Sequence, residues 1–499
     1  MAFTFRLYNT RTRAVEPVSV LEEGKLKFYS CGPTVYSYAH IGNFRSFITA
    51  DLIVRTAKTL GLDVTYVTNV TDVGHLTEDD LIDPAGEDRM VKALHSKEGE
   101  QFASIWDLAR YYTGVLIQDW QYLNLLEPSV RPRATEHMRE QIQAVEALLE
   151  SGKAYETEKG VYFDVNSFPG YGALSGNTEA NKLEQSVREV VIDPDKKDPR
   201  DFALWKKDDA HLMQWHSPWG WGFPGWHIEC SVMSMSYLGD QIDIHAGGED
   251  LIFPHHECEI AQSESITGKT FALHWVHTRF LQVEGEKMSK SAGNFFTVRD
   301  LIAPIDQGGK GVDPLAVRMT LLSGHYRKPF NFTFETLKAN IRHVERFQEV
   351  TKVVADALEE NRAGDDVIHE QLAVLQNRVL AAMADDLNTP EAIAATIEGV
   401  KSILFTSELS AKSARSAANW LEYVNALLGI ISSDYDHAKS ADDGSLEDAV
   451  DALIVQRTEA RAARDFARAD AIRDELMEMG IEIMDTPAGV QWKKRTELN

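Results

Sequence analysis

Residues 26–70 read LKFYSCGPTVYSYAHIGNFRSFITADLIVRTAKTLGLDVTYVTNV, and this stretch decides the fold class. LKFYSCG at 26–32 alternates apolar and polar residues and runs into Gly-Pro, which predicts a strand that ends in a loop. From Asn43 to Leu60 the apolar residues recur at helical spacing. DVTYVTNV at 63–70 is rich in β-branched residues and predicts a second strand. A strand, a helix and a strand in this order are typical of a parallel α/β sheet.

The sheet pattern returns later in the chain. QIDIHAGG at 241–248 and FALHWVHTRFLQV at 271–283 predict strands, and residues 254–267 between them predict a helix. After about residue 335 the strand signals end, and long amphipathic helices are expected around 336–361 and 367–384. The sequence therefore predicts an α/β region followed by a helical region.

Composition excludes several classes of protein. The chain has 499 residues, of which 43% are hydrophobic and 26% charged, as in an ordinary globular protein of more than one domain. Its formal net charge is −26, so we expect any nucleic acid to bind at local basic surfaces of an otherwise acidic protein. No apolar run approaches the roughly 18 residues of a membrane span, and the N-terminus lacks a signal-peptide pattern. Three cysteines cannot form a disulfide framework, so we expect a cytoplasmic protein with reduced thiols.

Two segments are suited to bind phosphate groups. HIGN at 40–43 lies where the first helix is expected to begin, and a helix N-terminus offers N–H groups to an anion. Gly42 permits close approach to the backbone, and His40 can donate a hydrogen bond to a phosphate oxygen. KMSKS at 287–291 places two lysines in a loop, where cations can stabilise charge that develops in a transition state. Each segment alone also fits an ordinary helix cap or a solvated turn.

Four side chains have the chemistry of a metal site. Cys31 directly follows the first strand, Cys230 lies in PGWHIECS, and His255 and Glu259 are four residues apart on one predicted helix face. Two thiolates, an imidazole and a carboxylate are a set that zinc accepts. Spacing alone leaves alternatives open, because buried cysteines and a helical His–Glu pair are also common in cores. Rival ligands on the same helix are His256 and Cys258.

The chain resembles the cysteinyl-tRNA synthetase family of the class I aminoacyl-tRNA synthetases. HIGN precedes and KMSKS follows the two α/β halves, in the order typical of class I. The resemblance extends over nearly the whole chain through CGPTVY at 31–36, GVYFDVNSFPGYGALSG at 160–176, DKKDPRDFALWK at 195–206, PGWHIECS at 224–231, FPHHECEIAQS at 253–263, GEKMSKSAGNF at 285–295, DDLNTPEA at 385–392 and DFARADAIRDEL…DTPAGVQWK at 465–493.

The resemblance implies a Rossmann-type catalytic domain with an insertion. Such an enzyme activates L-cysteine with Mg-ATP, forms cysteinyl-adenylate and transfers cysteine to the 3′ end of tRNA(Cys). It implies one zinc on Cys31, Cys230, His255 and Glu259, which binds the substrate thiol. Thr71 and Trp226 fall where the family holds substrate cysteine. The residues that would act on ATP are His40, Gly42, Asn43, Lys287 and Lys290, and Asn43 stands where the family usually has His.

The resemblance also divides the chain. We expect the first half of the catalytic domain at 1–120, an inserted connective module at 121–225, the second half at 226–283, the KMSKS loop and a stem-contact region at 284–335, a helical tRNA-binding bundle at 336–435, a linker around 433–446 and a small anticodon-region domain at 447–499.

Arginines in this last unit are candidates for RNA contact. Their spacing of 4, 3 and 4 predicts one helix face that can follow a phosphate backbone. An aromatic residue beside Lys493, Lys494 and Arg495 is typical of single-strand stacking. A solvated helix face and a small-domain core are the alternatives. The residues concerned are Arg457, Arg461, Arg464, Arg468 and Trp492.

Two other functions stay open at this point. A mycothiol-pathway ligase resembles the catalytic core and also uses cysteine, but it normally lacks the extended C-terminal half. A non-catalytic RNA-binding paralogue is expected to lose active-site residues, whereas both KMSKS lysines and all four ligand candidates are present. We expect a monomer with no membrane partner.

Lys290 generates a first prediction. Its ammonium, in a mobile loop, is expected to meet phosphate charge as that charge builds in adenylation. Lys290→Ala should therefore slow cysteine-dependent pyrophosphate exchange by about 10²–10³, the usual loss for one such donor, while ATP binding changes little. Equal losses in the exchange rate and in ATP affinity would instead indicate ground-state binding.

Overall fold

The strands and helices of the first half follow the predicted order. The computed structural model describes residues 3–74, 76–78, 85–177, 195–289, 292–431, 443–486 and 489–494. Up to Glu150 the elements are β1 (Arg6–Asn9), β2 (Ala14–Pro17), β3 (Lys25–Ser30), α1 (Ile41–Thr59), β4 (Asp63–Thr68), β5 (Leu76–Glu78), β6 (Ala85–Asp88), α2 (Arg89–Leu94), α3 (Ile105–Tyr122) and α4 (Met138–Glu150).

The middle of the chain carries most of the remaining strands. In order, these elements are β7 (Ala154–Glu156), β8 (Gly160–Phe163), β9 (Phe202–Lys207), β10 (Trp215–Ser217), β11 (Gly220–Pro224), α5 (Trp226–Leu238), β12 (Ile242–Gly248), α6 (His255–Thr267), β13 (Ala272–Thr278), β14 (Leu281–Val283) and β15 (Glu286–Lys287).

The last part of the chain is mainly helical. Its elements are α7 (Val298–Ile302), α8 (Pro314–Leu322), β16 (Phe330–Phe332), α9 (Phe334–Glu359), α10 (His369–Ala384), α11 (Thr389–Leu404), α12 (Ala411–Leu428), α13 (Asp443–Ala462), α14 (Phe466–Glu478), β17 (Ile481–Thr486) and β18 (Gly489–Lys494). Among the described helices, none combines the length and the apolar character that crossing a bilayer requires.

A four-stranded parallel sheet, in the order β13-β12-β3-β4, forms the centre of the molecule. Phe28 and Tyr29 of β3, one of the two inner strands, are fully buried, as is Trp275 of β13. Helices cover such a sheet on both faces, which explains why six of the seven residues of β12 are buried. The predicted α/β fold class is confirmed.

The predicted insertion contains a second sheet. Strands β7 to β11 pair antiparallel in the order β10-β11-β9-β8-β7. They lie between residues 154 and 224, within the stretch 121–225 that the sequence sets apart. The domain boundaries themselves remain predictions.

Two expectations about strands are wrong. The run 271–283 is not one strand: β13 belongs to the parallel sheet, whereas β14 pairs with β15 and β16 in another sheet. Strands also do not end at residue 335, because β17 and β18 form a terminal hairpin. Ile481 and Ile483 alternate with polar residues in that hairpin, a period-2 pattern too short to stand out beside the helices.

A buried ion cluster joins α1 to the helical region. Asp51 of α1 accepts hydrogen bonds from Arg55 at 2.8 Å and from Arg318 of α8, and all three side chains are buried. Arg318 also donates to the Leu428 carbonyl oxygen at 2.8 Å, and Arg55 donates to the Asn425 carbonyl oxygen at 3.2 Å. Burial would raise the pKa of Asp51, but the two guanidinium groups outweigh it and hold this pKa below its ordinary value. The two arginines thus bind the negative end of α12 to α1.

This cluster predicts a large stability loss on truncation. Arg318→Ala leaves the Asp51 carboxylate buried without its main partner, which should cost about 3–5 kcal/mol of unfolding free energy. The measurement is the urea concentration at the midpoint of the unfolding transition that includes α1 and α12. Arg378→Gln is the control, since Arg378 pairs with Glu391 and Glu398 at the surface and its loss should barely move that midpoint. Similar midpoints for both variants would contradict the prediction.

Candidate active site and metal centre

The site forms where two neighbouring parallel strands end. From β3 the chain crosses to β4 on one side, and from β12 it crosses to β13 on the other. Ligands in open α/β sheets bind at such a point, beyond the carboxyl ends of the strands. Cys31 follows β3 here, and its N–H donates to the Ala246 carbonyl oxygen of β12 at 3.0 Å. Gly32 is required next, because a Cβ atom there would lie 1.7 Å from the Asn69 carbonyl oxygen.

The four predicted ligands lie together. The ligand atoms of Cys31, Cys230, His255 and Glu259 are all within 4.8 Å of one another, and each residue is buried. The two sulfur atoms are 3.9 Å apart, and the Cys31 sulfur lies 3.6 Å from Glu259 Oε1. His255 Nε2 lies 3.1 Å from that same oxygen. Tetrahedral zinc with bonds of about 2.3 Å to sulfur separates its sulfur ligands by roughly 3.8 Å, so the spacing fits.

Protonation equilibria in the cluster reflect its concentrated negative charge. A hydrogen bond from Cys31 lowers the pKa of Cys230 to about 6, against the effect of burial. Burial would lower the pKa of His255, but Glu259 and Cys230 outweigh it and raise this pKa to about 10. Burial would raise the pKa of Glu259, but His245 and His255 outweigh it and lower this pKa to about 2. The set therefore favours a bound positive charge, which a metal cation supplies.

The rival ligands have different surroundings. Cys258 packs in the core of the insertion, with its sulfur 3.5 Å from the Tyr171 hydroxyl, and it belongs to neither metal-binding group. His256 is closer: its Nε2 lies 3.3 Å from the Cys31 sulfur. Together with His245 it forms a second group that shares Cys31 and Glu259. This second group has one thiol instead of two, so the first group is the softer set that zinc prefers.

The predicted cysteine-binding residues border this cluster. Thr71 is buried, and its hydroxyl donates to Glu229 Oε2 at 2.9 Å. The ring of Trp226 lies 4.5 Å from the ring of His255, centre to centre. Sequence reasoning missed Glu229 and Asn69, whose amide nitrogen donates to Thr71 Oγ1 at 3.1 Å. Their signal was position alone: Asn69 follows β4, and Glu229 immediately precedes Cys230.

HIGN begins α1, as predicted. His40 is the residue that caps the helix: its Nδ1 accepts from the Asn43 N–H at 3.1 Å, and Asn43 Oδ1 accepts from the His40 N–H at 3.1 Å. Because Nδ1 accepts, the proton of the neutral ring is on Nε2, which is the donor that a phosphate oxygen needs. A Cβ atom at Gly42 would lie 2.9 Å from His40 Nδ1, so glycine is required by the cap itself.

The KMSKS segment lies against HIGN. The Met288 side chain comes within 3.4 Å of a Cβ atom built at Gly42, and the ring of Phe295 contacts the His40 ring edge-on at 5.2 Å. Asn294 closes the loop, accepting from the Ser289 N–H at 2.8 Å. Lys287 is exposed, and Lys290 lies outside the described residues. The described part of the KMSKS segment is thus adjacent to HIGN.

The predicted arginine face is wrong. Arg457 and Arg461 are on α13, Arg464 lies beyond its end with φ of 59°, and Arg468 is on α14. Asp485 accepts hydrogen bonds from Arg457 at 2.8 and 3.0 Å and from Arg461 at 2.6 Å. Two of the four arginines are therefore paired with a carboxylate of the same domain. Helical periodicity continued across residues 463–465 in the sequence, but the chain turns there.

Trp492 is part of a small hydrophobic core. It packs with the α13, α14 and β17 side chains and donates from Nε1 to Asp451 Oδ1 at 3.2 Å. Of the two predicted roles for Trp492, stacking on RNA or packing in the core of the small domain, the structure shows core packing. Four described arginines of the unit are exposed, namely Arg461, which Asp485 binds, and Arg464, Arg468 and Arg473. The side chains of Lys493 and Lys494, all of Arg495 and residues 432–442 of the linker lie outside the described residues.

Three known families match the chain. The family described as "tRNA synthetases class I (C) catalytic domain" matches residues 17–342. The DALR domain family matches residues 378–432. The family described as "Cysteinyl-tRNA ligase anticodon binding domain" matches residues 443–492.

Relatives match over the full length. The cysteine–tRNA ligase of Salinibacter ruber is 58% identical over 514 residues, covering 99% of each chain. That of Rhodospirillum rubrum is 43% identical, covering 98% of this chain and all of the relative. A solved methionyl-tRNA synthetase of Mycobacterium tuberculosis, bound to methionyl-adenylate, superposes with a TM-score of 0.58 over 81% of this chain and 92% of its own. At 14% sequence identity, that superposition shows a shared fold.

Proposed function

The chain belongs to the cysteine–tRNA ligase family of class I aminoacyl-tRNA synthetases, and we propose that it makes cysteinyl-tRNA(Cys) from L-cysteine, ATP and tRNA. In the first step the cysteine carboxylate attacks the α-phosphorus of Mg-ATP, so cysteinyl-adenylate forms and pyrophosphate leaves. In the second step the terminal ribose hydroxyl of the tRNA attacks the activated carbonyl carbon and AMP leaves. Neither step needs a nucleophile from the protein.

One observation carries this proposal: a thiol-rich metal set lies beside a nucleotide-binding helix start. Cys31 follows β3, and only ten residues separate β3 from α1, whose first turn is capped by His40. A substrate bound through sulfur at the metal set can therefore present its carboxylate to a phosphate at the helix N-terminus. Proximity of this kind contributes much of the rate of a two-substrate reaction.

The side chains have distinct tasks in this scheme. His40, through Nε2–H, and the backbone N–H groups of the α1 N-terminus bind ATP phosphates. Lys287 and Lys290 of the KMSKS loop neutralise charge on the phosphates during adenylation. Thr71 and Trp226 hold the body of the substrate cysteine beside the metal set.

The metal set fits zinc in donor type, number and spacing. It offers two sulfur atoms, one nitrogen and one oxygen, all buried and within 4.8 Å. When bound there, zinc supplies direct coordination of the substrate thiol. The neighbouring His227 supports this assignment. Its Nδ1 lies 2.9 Å from His255 Nδ1, so the second ring nitrogen of His255, Nε2, faces Glu259.

The C-terminal half supports tRNA as the acceptor. The mycothiol-pathway alternative does not explain residues 378–432 and 443–492, which match the DALR and anticodon-binding families. The non-catalytic alternative does not explain a metal set that the fold assembles from four separate positions. We expect Arg464 and Arg468 to be available for RNA. The three free cysteines suit the reducing cytoplasm, and we expect a monomer.

Metal content provides one test. Purified protein should contain about one zinc per chain, measured by elemental analysis. Cys230→Ala should lose most of this zinc, because one thiolate ligand disappears from a four-ligand site. Cys258→Ala is the matched control, since this third buried cysteine contacts Tyr171 instead of the metal set and its loss should leave zinc in place. Full zinc retention in Cys230→Ala would rule out the assigned ligands.

Amino-acid selection tests the function itself. Pyrophosphate exchange, measured with each of the twenty amino acids, should be fast with cysteine alone. Serine differs by one atom, and packing separates such isosteres by only about 1–3 kcal/mol, so selection must come from thiol coordination. Serine should consequently yield little AMP, with or without tRNA. Rapid serine adenylation followed by tRNA-dependent hydrolysis would reveal an editing activity and contradict selection at the metal set.

A further inference from the structure

Three residues that follow the KMSKS loop pair directly with the first residues of HIGN. The Ile41 N–H donates to the Phe296 carbonyl oxygen at 3.0 Å, and His40 and Thr297 form an antiparallel bridge. The ring of Phe295 contacts the His40 ring edge-on at 5.2 Å. The backbone and the ring of His40 are therefore both in contact with this segment.

The segment leads into α7 without an intervening loop. Thr297 caps this helix: its hydroxyl oxygen accepts from the Asp300 N–H at 3.2 Å, and the Asp300 carboxylate accepts from the Thr297 N–H at 2.7 Å. Val298 and Leu301 of α7 are fully buried. Because the cap joins α7 to the residue that pairs with His40, a shift of α7 would move that residue as well.

Arg299 connects α7 to α3. Its Nε donates to Asp119 Oδ1 at 2.8 Å, and its Nη2 donates to Gln118 Oε1. Asp119 is fully buried, whereas the Arg299 side chain is 30% exposed. Burial raises the pKa of Asp119 to about 6, against the effect of the guanidinium. Asp119 Oδ1 accepts the hydrogen bond in either protonation state, so the connection rests on geometry.

Arg299 also contacts the segment that precedes HIGN. Its guanidinium carbon lies 5.9 Å from the centre of the Tyr38 ring, at the outer limit of a cation–π contact. The Tyr38 hydroxyl lies 3.0 Å from the hydroxyl of Tyr111 on α3. Since Tyr38 is two residues before His40, the chain on both sides of His40 is linked to Arg299.

The helix cap alone does not determine where His40 lies in the site. The bond between His40 Nδ1 and the Asn43 N–H fixes the ring relative to α1. The place of that ring relative to a bound nucleotide also depends on the neighbouring segments, which Arg299 joins. Misplacement of a group by about 1 Å can cost 10²-fold in rate.

We propose that Arg299 is a positioning residue for His40, acting through the residues from Phe295 to Thr297 and through Tyr38. The assignment rests on the proposed function, in which His40 binds ATP phosphates. Arg299 has no contact with the reacting atoms in this role; it holds α7 and Tyr38 at α3, and these in turn hold His40.

A double-mutant cycle with His40 provides the test. Arg299→Met keeps the length of the side chain but removes its donors. It should lower kcat/KM for ATP in cysteine-dependent pyrophosphate exchange about tenfold to 100-fold. His40→Asn removes the ring and keeps a side-chain acceptor for the helix cap. In that background Arg299→Met should cost less than about twofold, because no ring is left to misplace.

Other outcomes would overturn the role of Arg299. Equal losses with and without His40 would assign it a general structural role, as would a parallel loss of cysteine affinity, measured by calorimetry on zinc-loaded protein without ATP. An unchanged rate in Arg299→Met would remove it from positioning. Arg110→Met is the matched control, since this exposed arginine of α3 donates to Asp107 at 2.9 Å and should leave exchange unchanged.

A further variant separates position from buried charge. Arg299→Met leaves the Asp119 carboxylate buried without this guanidinium, which can destabilise the fold. The double variant Arg299→Met/Asp119→Asn removes that charge and also serves if the single variant does not fold. Exchange should remain slow in the double variant. Recovery to the rate of the unaltered protein would show that buried charge caused the loss, which overturns the positioning role.

Pyrophosphate exchange by the unaltered protein is measured first. Failure of that protein to use cysteine would refute the proposed function. The same cycle is then run on ATP affinity, measured by calorimetry without cysteine: Arg299→Met should weaken ATP binding only where the His40 ring is present. Since this measurement does not depend on the reaction, failure of the proposed function and failure of the positioning role are distinguishable.

Discussion

The adjacent carboxyl ends of β3 and β12 are the constraint on which the rest of the structure depends. The two strands pair in parallel, but their connections leave in opposite directions, so the connections diverge at the carboxyl ends of the strands. Cys31 emerges from β3 into this space, and α6, which carries His255 and Glu259, begins a few residues after β12. Cys230 joins them because α5 packs against α6. A change in this register would separate the four donor atoms.

Burial is what gives these donors their function. In water a thiol, an imidazole and a carboxylate would each be solvated and would compete weakly for a cation. Here all four ligand residues are buried, and the carboxylate of Glu259 is already compensated by His245 and His255. Burying charge is costly unless the charge is paired, so the cluster is arranged to gain from a metal and from a ligand that adds its own positive charge.

Local patterns predicted much of this architecture, and long-range pairing accounts for what they missed. The strand–helix–strand start, the helix that carries His255 and Glu259, and the meeting of HIGN with KMSKS all follow from periodicity and from resemblance to the family. Periodicity could not detect that the chain turns at Arg464, because the arginine spacing continued across the turn. It also could not reveal that Asp485 binds Arg457, since 28 residues separate the two. Glu229 and Asn69 carry no motif of their own, so the sequence could not reveal their hydrogen bonds with Thr71.

Helix α1 connects the chemistry of the site with the helical half of the molecule. Its first turn is capped by His40, and its later turns carry Asp51 and Arg55. Through Arg55 and Arg318 these turns hold the carbonyl oxygens at the end of α12. This helix is therefore held at its N-terminus by a side-chain cap and in its later turns by buried ion pairs. Because a helix resists changes of length, movement of α12 relative to the sheet would have to break the buried pairs or shift His40. Helix α1 thus connects the turn that begins at His40 with the helical region through Arg55 and Arg318.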